Sequence, residues 1–385
     1  MGERRHRAGR RRRRRSVGEV ERIIRRRHAR LYSNGACGRL SSDPPRRRRV
    51  SGMTGNRGFW ARARANADSE GSGGGTSSLP PAVASALPSV VGLAARIPED
   101  RRTARTLGTE REGHGILIDD DGLIVTIGYL IMEAQSVTIT DLSGHELPAR
   151  IVGYDYESGF GLVRTLRPPA VGPIRFGDSD SLDVRSEAWV AGVGGAKASL
   201  KVRVAGRREF AGYWEYLLDD ALFTVPAYPL WGGSGLIGQD GTLLGVGSLL
   251  VQEALGPGAP AFPGNMFVPI NRLKPIFDEL LANGRISTPP KPWLGVYTME
   301  HRGQLVIGGI AEGGPADRAG LKQGDVLLAL NGEELDEVAE FYRLLWAAGP
   351  AGVPLSFRLQ RDSDAFDMTI RSGDRMKYLN FESSL

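Results

Sequence analysis

Cysteine is almost missing from this chain: its 385 residues contain one, Cys37. A single thiol excludes an internal disulfide framework and any cysteine-rich metal site. Histidine is nearly as scarce, at five residues, which leaves few groups that titrate near neutral pH. No apolar run reaches the length of a membrane span, and the most apolar stretch, 79–97, is interrupted by Pro80, Pro81 and Pro88. The early arginines are not followed by the apolar segment that a secretory or twin-arginine signal requires, so the expected location is the cytoplasm. There is no glycine-rich phosphate loop, dinucleotide fingerprint or His/Asp metal cluster, and the expected cofactor and metal complement is none.

What is abundant is arginine, and its distribution matters more than the formal net charge of +6. Residues 1–50 hold 19 Arg against 4 acidic residues, a net +15, which leaves 31 basic and 40 acidic residues, a net −9, for everything after them. Arg10 to Arg15 and Arg46 to Arg49 are unbroken. Such blocks repel themselves and bury too little apolar area to offset chain entropy, so disorder is expected there. Two readings stay open for this tail: contact with RNA or another anionic surface through phosphates, or a segment outside the working protein, with Met53 as the true start. Residues 71–78 (GSGGGTSS) then read as a flexible linker.

Beyond the linker the texture changes. Short β-type runs at 115–118, 123–126, 136–140, 149–152, 188–193 and 243–246 are split by Gly and Asp turns, with hairpin signals at 119–122 and 239–241. Many short strands with turn punctuation imply a barrel or sandwich. Residues 271–283 carry helical spacing of Leu273, Ile276, Phe277, Leu280 and Leu281, with Gly284 just past the end. Residues 288–292 (TPPKP) form a stiff linker to a second compact unit with one clear helix at 336–347. The division expected is a tail and linker over 1–79, a barrel unit over 80–285 and a smaller α+β unit over 286–379.

In the smaller unit, Trp293, Leu294, Gly295 and Val296 precede a strand at 304–307 and the run 314–332 (GPADRAGLKQGDVLLALNG). Pro315 can open a short helix that Gly320 ends, and Asn331-Gly332 can make a tight hairpin. This run resembles a PDZ domain of the bacterial protease-associated type. The resemblance implies that the loop 293–296 offers consecutive backbone N–H groups to a peptide's terminal carboxylate, with the peptide lying as a strand beside 296–299 and the helix 336–347. Gly295 suits such close backbone approach because it has no Cβ. The implied peptide-binding residues are Trp293, Leu294, Gly295, Val296, Val338, Phe341 and Leu345, and the implied partners are protein or peptide C-termini. The plainer alternative is that Leu294 and Val296 fill the core and the groove is empty or self-occupied.

The larger unit resembles the HtrA/Deg-type trypsin-fold proteases that precede such PDZ domains. Four stretches carry this: His114 to Ile118 with Asp121, Gly122 and Thr126; Arg150 to Asp155; Phe176 to Asp180 followed by Ala188 to Gly192; and Phe267 to Asn271 leading into a helix. The resemblance spans about 85–376 and implies a mainly β protein: a trypsin-like double β-barrel, then an α+β PDZ domain. Family members often trimerise through N-terminal segments of this domain, which makes 82–95 a candidate oligomer contact.

A serine protease needs a nucleophile, an imidazole to take its proton and a carboxylate to fix the imidazole's tautomer. The resemblance puts Tyr129 in the histidine position and Gly159 in the aspartate position. The third position is ambiguous. Gly232-Gly233-Ser234-Gly235 fits the Gly-x-Ser-Gly nucleophile pattern at Ser234, whereas the register without gaps, which is favoured, puts Gly232 there; the loop is also an ordinary tight turn. His6 and His28 lie in the tail, His301 in the PDZ unit, and His145 in a hairpin turn; His114, nearest in sequence to the site, is expected at the surface or hydrogen-bonded. A serine without its base is a poor nucleophile, and losing triad members costs about 10⁴–10⁶ in turnover. A phenol of pKa about 10 offers little phenolate at pH 7. The expected function is therefore a catalytically degenerate protease homologue acting as a peptide-binding scaffold. The alternatives are an endopeptidase working through Ser234 and, more weakly, RNA or anionic-surface contact by the tail.

Overall fold

The computed structural model describes residues 79–379; Cys37, Met53, the arginine tail and most of the Gly/Ser linker lie outside the described residues. The first unit opens with α1 (Pro81–Ala86) and a closed barrel of β1 (Val90–Arg96), β2 (Glu110–Leu117), β3 (Leu123–Ile127), β4 (Ser136–Thr140), β5 (Glu146–Tyr154) and β6 (Phe160–Thr165), in the order β1-β2-β3-β6-β5-β4. A short α2 (Ala104–Leu107) precedes β2. The turn foreseen at 119–122 closes as expected: Leu123 N donates to Asp119 Oδ1 at 2.7 Å, and Gly122 takes the positive φ that the reversal needs. β3 (LIVTI) is buried along its whole length, because one side fills the barrel and the other meets the second unit.

A second closed barrel follows, ordered β10-β11-β12-β9-β8-β7, from β7 (Glu187–Ala191), β8 (Ser199–Gly212), β9 (Tyr216–Val225), β10 (Gly235–Ile237), β11 (Leu243–Val251) and β12 (Gly264–Pro269). The long β8–β9 hairpin was not foreseen. Val202 and Val204 alternate into the barrel, but from residue 205 onward the side chains are half-buried against neighbouring parts of the chain, so no two-residue period survives to mark the strand. The predicted helix at 271–283 is also corrected. Only α3 (Phe277–Asn283) is α-helical; Pro275 has no N–H to donate, and 3₁₀ turns at Ile270–Arg272 and Lys274–Ile276 replace the first half. Gly284 caps α3 at φ 70° as foreseen.

The third unit is a sheet ordered β13-β14-β15-β17-β18: β13 (Val296–His301), β14 (Gln304–Ile310), β15 (Val326–Leu330), β17 (Pro354–Arg361) and β18 (Asp364–Arg371), with the short β16 (Glu333–Glu334) beside β15. α4 (Pro315–Arg318) starts on the expected proline, and Asn331 and Gly332 both take positive φ in the expected tight turn. α5 (Val338–Ala347) buries Val338, Phe341, Tyr342 and Leu345 over the sheet at helical spacing, and α6 (Arg375–Tyr378) closes the described chain. The fold is therefore mainly β, two trypsin-like barrels and a PDZ-type unit. The apolar residues of 82–95, among them Val83, Leu87, Val90, Val91 and Leu93, are buried in the chain's own core. Among the described residues no helix is long and apolar enough to cross a membrane.

Candidate functional site

The cleft between the barrels brings together the three positions singled out from sequence. Tyr129 lies on a 3₁₀ turn (Gly128–Leu130) directly after β3. Gly128 N donates to Gly159 O at 2.7 Å, tying that turn to the one holding Gly159. Arg111, almost fully buried, braces the same turn from behind: its guanidinium donates to the carbonyls of Tyr129 at 2.7 Å and Met132 at 2.9 Å, and to Thr103 Oγ1 at 2.7 Å. Tyr129 Oη reaches across the cleft and donates to Ser248 O on β11 at 3.0 Å. A Cβ added at Gly232 would stand 2.9 Å from that hydroxyl, so the position facing Tyr129 is occupied by a residue with no side chain. A Cβ at Gly159 would stand 3.4 Å from Tyr216 Oη, and Gly159 has φ +83°.

Ser234 is elsewhere. It is fully buried, and its Oγ donates to Trp231 O at 2.8 Å, folding the hydroxyl back onto its own loop. Its backbone belongs to the same turn: Ser234 N donates to Trp231 O, Gly233 N to Gly247 O and Gly247 N to Ser234 O. Gly233, at φ +73°, packs so closely on β2 that a Cβ would stand 2.0 Å from His114 O.

Three histidines lie among the described residues. His114 corrects the surface expectation: it is 1% exposed on β2, its ring wedged against Gly192 of the second barrel, where a Cβ would stand 2.6 Å from Nε2. Burial drives its pKa down from the ordinary 6.5 to about 4, so the ring is neutral at pH 7. His145 sits in an exposed turn with Nδ1 3.0 Å from Asp141 Oδ2, and His301 ends β13.

In the loop 293–296 three consecutive backbone amides converge, and the groove beside them is not empty. Leu294, Val296, Val338, Phe341 and Leu345 are all buried in the core of the third unit, and Trp293 is buried against Tyr378, ring centroids 4.4 Å apart. Gly295 has φ +80°, and a Cβ there would meet the Trp293 ring at 3.0 Å. The amides of Leu294, Gly295 and Val296 point together at one acceptor that sequence reasoning missed, the carboxylate of Glu215 in the β8–β9 turn. Leu294 N donates to Oε2 at 3.1 Å; Gly295 N and Val296 N donate to Oε1 at 2.7 and 2.9 Å. No local signal marks Glu215, because its partners are about 80 residues away. Between the barrel cleft and this loop lies a cavity of about 700 Å³ lined by Tyr129, Gly159, Tyr213, Trp214, Trp293 and Arg375 among others. Among the described residues no group of His, Cys, Asp and Glu side chains is disposed to hold a metal ion.

Two family models agree with this architecture. A trypsin-like peptidase domain family model matches residues 113–246, and a PDZ domain family model matches residues 292–371. A probable periplasmic serine endoprotease, DegP-like, from Chlamydia pneumoniae is 27% identical over 266 residues, covering 64% of this chain and 51% of that protein. A probable periplasmic serine protease, do/HhoA-like, from Haemophilus influenzae is 26% identical over 294 residues, covering 71% of this chain and 59% of its own length. The chain thus spans about half to three fifths of the length of the curated relatives it matches. Among solved structures, the serine endoprotease from Yersinia pestis aligns with a TM-score of 0.46 at 19% identity, covering 77% of this chain and 98% of that one. The cytoplasmic expectation is overturned: these relatives are named as periplasmic proteins. That expectation rested on finding no export signal in a basic N-terminal stretch that lies outside the described residues.

Proposed function

We propose that this chain, a member of the HtrA/Deg-type family in which a trypsin-like peptidase domain precedes a PDZ domain, is proteolytically inert and serves as a protein- and peptide-binding scaffold. The observation that carries this reading is the content of the cleft: the side chain facing the Gly232 position is the Tyr129 phenol, and Ser234 Oγ is buried on Trp231 O. Acyl transfer needs a hydroxyl exposed to substrate and an imidazole within reach of it. A buried hydroxyl that already donates to a backbone carbonyl offers neither the approach nor the proton transfer. What remains of the peptidase unit is a two-barrel body that carries the PDZ domain, whose amide loop and adjoining edge strand have the form used to bind extended peptides and their terminal carboxylates.

The test is to treat the full chain with a fluorophosphonate probe and with unfolded casein. The expected result is no labelling and no cleavage, in the wild type and in Ser234→Ala alike. Labelling and cleavage that vanish in Ser234→Ala would establish a working endopeptidase in its place.

A further inference from the structure

Three buried amides aimed at one point make an anion site, and such donors are costly to leave unsatisfied. In this chain they are satisfied from within. The Glu215 carboxylate sits where a carboxylate entering the groove from outside would have to sit, at the blind end formed by Leu294, Gly295 and Val296. The mimicry extends along the groove. β13 pairs with β14 on one side only, and on its open side Thr298 N donates to Tyr213 O at 2.8 Å, so the hairpin takes a position on the ladder that an added strand would use.

The opposite wall holds the same turn. Tyr342 Oη, on α5, donates to Gly212 O at 2.8 Å, accepts from Glu215 N at 3.0 Å and lies 2.8 Å from Thr298 Oγ1, so one hydroxyl links hairpin, helix and edge strand. Arg375 on α6 clasps the turn from the cavity side, donating to Trp214 O at 2.9 Å and Glu215 O at 3.2 Å.

Glu215 bears costs that an ordinary turn residue does not. Its backbone is left-handed at φ 55°, and the residue is 3% exposed. Burial pushes its pKa up, against the nearby Arg375 charge and the three amide bonds. A strained, buried charge persists where the surroundings over-determine it, and here those surroundings are the groove itself.

We propose that the β8–β9 hairpin is an intramolecular ligand that holds the PDZ groove shut, with the Glu215 carboxylate standing in for the terminal carboxylate of a peptide, so that a peptide enters only when the hairpin is released. The closed state rests on the contacts above alone; the release step also rests on the peptide-binding reading under Proposed function. A tethered occupant competes at high effective concentration, so a peptide's apparent affinity is reduced by the fraction of molecules that are open. Tyr213 and Trp214 of the same hairpin also line the cavity shared with Tyr129 and Gly159.

The test uses the full chain and two readouts. Hydrogen exchange is followed over residues 293–298, and binding is measured by fluorescence anisotropy with a pool of labelled hexapeptides that end in apolar residues with free carboxylates, against the same pool amidated. In the wild type the three amides are expected to exchange slowly and the pool to bind weakly. In Glu215→Ala exchange is expected to quicken about tenfold or more, the scale of one charge-assisted hydrogen bond. The free-acid pool, and not the amidated pool, is expected to bind about tenfold tighter. Tyr342→Phe, which loosens the opposite wall without touching the carboxylate, should move both readouts the same way and serves if Glu215→Ala does not fold. Unchanged exchange in the variants, or wild-type binding as tight as in Glu215→Ala, would overturn the proposal. Faster exchange with no binding of either pool would uphold the closed groove and refute the peptide-binding reading.

Discussion

The loop at 231–235 and the loop at 293–296 are two tight, glycine-dependent turns whose family counterparts bind substrate groups, and they have met different ends. The first has closed on itself: Ser234 Oγ bonds Trp231 O, Gly233 N bonds Gly247 O, and Gly232 presents nothing to Tyr129. The second keeps its three convergent amides and has an acceptor supplied from 80 residues away. The difference is one of material. A site made of side chains disappears with a few substitutions, and the loop then repacks as ordinary structure. A site made of backbone N–H groups remains as long as the backbone does, and buried donors must find a partner. On the reading proposed above, the barrel cleft is without its chemistry, while the PDZ loop keeps its three amides and has them filled from within.

The strongest way to break this comparison is to add a methyl to each turn. Gly233→Ala would drive Cβ into backbone, 2.0 Å from His114 O and 2.8 Å from Thr126 Oγ1, at φ +73°. Gly295→Ala meets only the Trp293 ring at 3.0 Å and Ala311 Cβ at 3.1 Å, at φ +80°. Both pay the left-handed cost of about 1–2 kcal/mol, and the first adds an overpacking cost of about 1–3 kcal/mol against a wall that cannot turn aside. Urea denaturation should therefore rank Gly233→Ala well below Gly295→Ala. The reverse ranking would mean that the barrel loop is the looser of the two.

Acid offers a second separation, because His114 belongs to the barrel side alone. In the fold it takes a proton only near pH 4, whereas in the unfolded chain it does so near 6.5. Between those values the unfolded chain binds more protons, so stability falls as pH falls. The contribution is fully present above pH 6.5 and is lost on descent to about 4, a change of about 3 kcal/mol. In His114→Leu this part of the pH dependence should be absent when stability is followed by denaturant melts between pH 4 and 7. An unchanged slope would show that another group carries the acid sensitivity.

Much of this architecture was legible in the sequence, and the reasons are local. Asp119 to Gly122, Pro315 to Gly320 and Asn331-Gly332 each state a turn in residues that only that turn favours, and each turn formed. The cleft stayed ambiguous on paper between Ser234 and Gly232, with the register without gaps favouring Gly232; a Cβ at Gly232 would stand 2.9 Å from the Tyr129 hydroxyl. What was missed was in one case local and in two cases non-local. Pro275 broke a helical period that the apolar spacing alone supported, although its missing N–H was visible. The β8–β9 hairpin hid because its far half packs on another unit instead of alternating between core and water. Glu215 hid because a lone acid in a turn reads as a solvated one until the fold delivers three amides to it.

The smallest expected effect tests whether the cleft is merely filled. Tyr129 is half-buried, its hydroxyl donates across the cleft to Ser248 O at 3.0 Å, and its main chain is held by Arg111. Tyr129→Phe removes that bond and leaves the turn braced, so it should cost about 1 kcal/mol, the usual net worth of one hydrogen bond. Exchange at Leu294, Gly295 and Val296 should not change, since those amides answer to Glu215 and not to the cleft. If Tyr129→Phe instead loosened the PDZ loop, the phenol would be part of the latch, and the two sites would have to be treated as one.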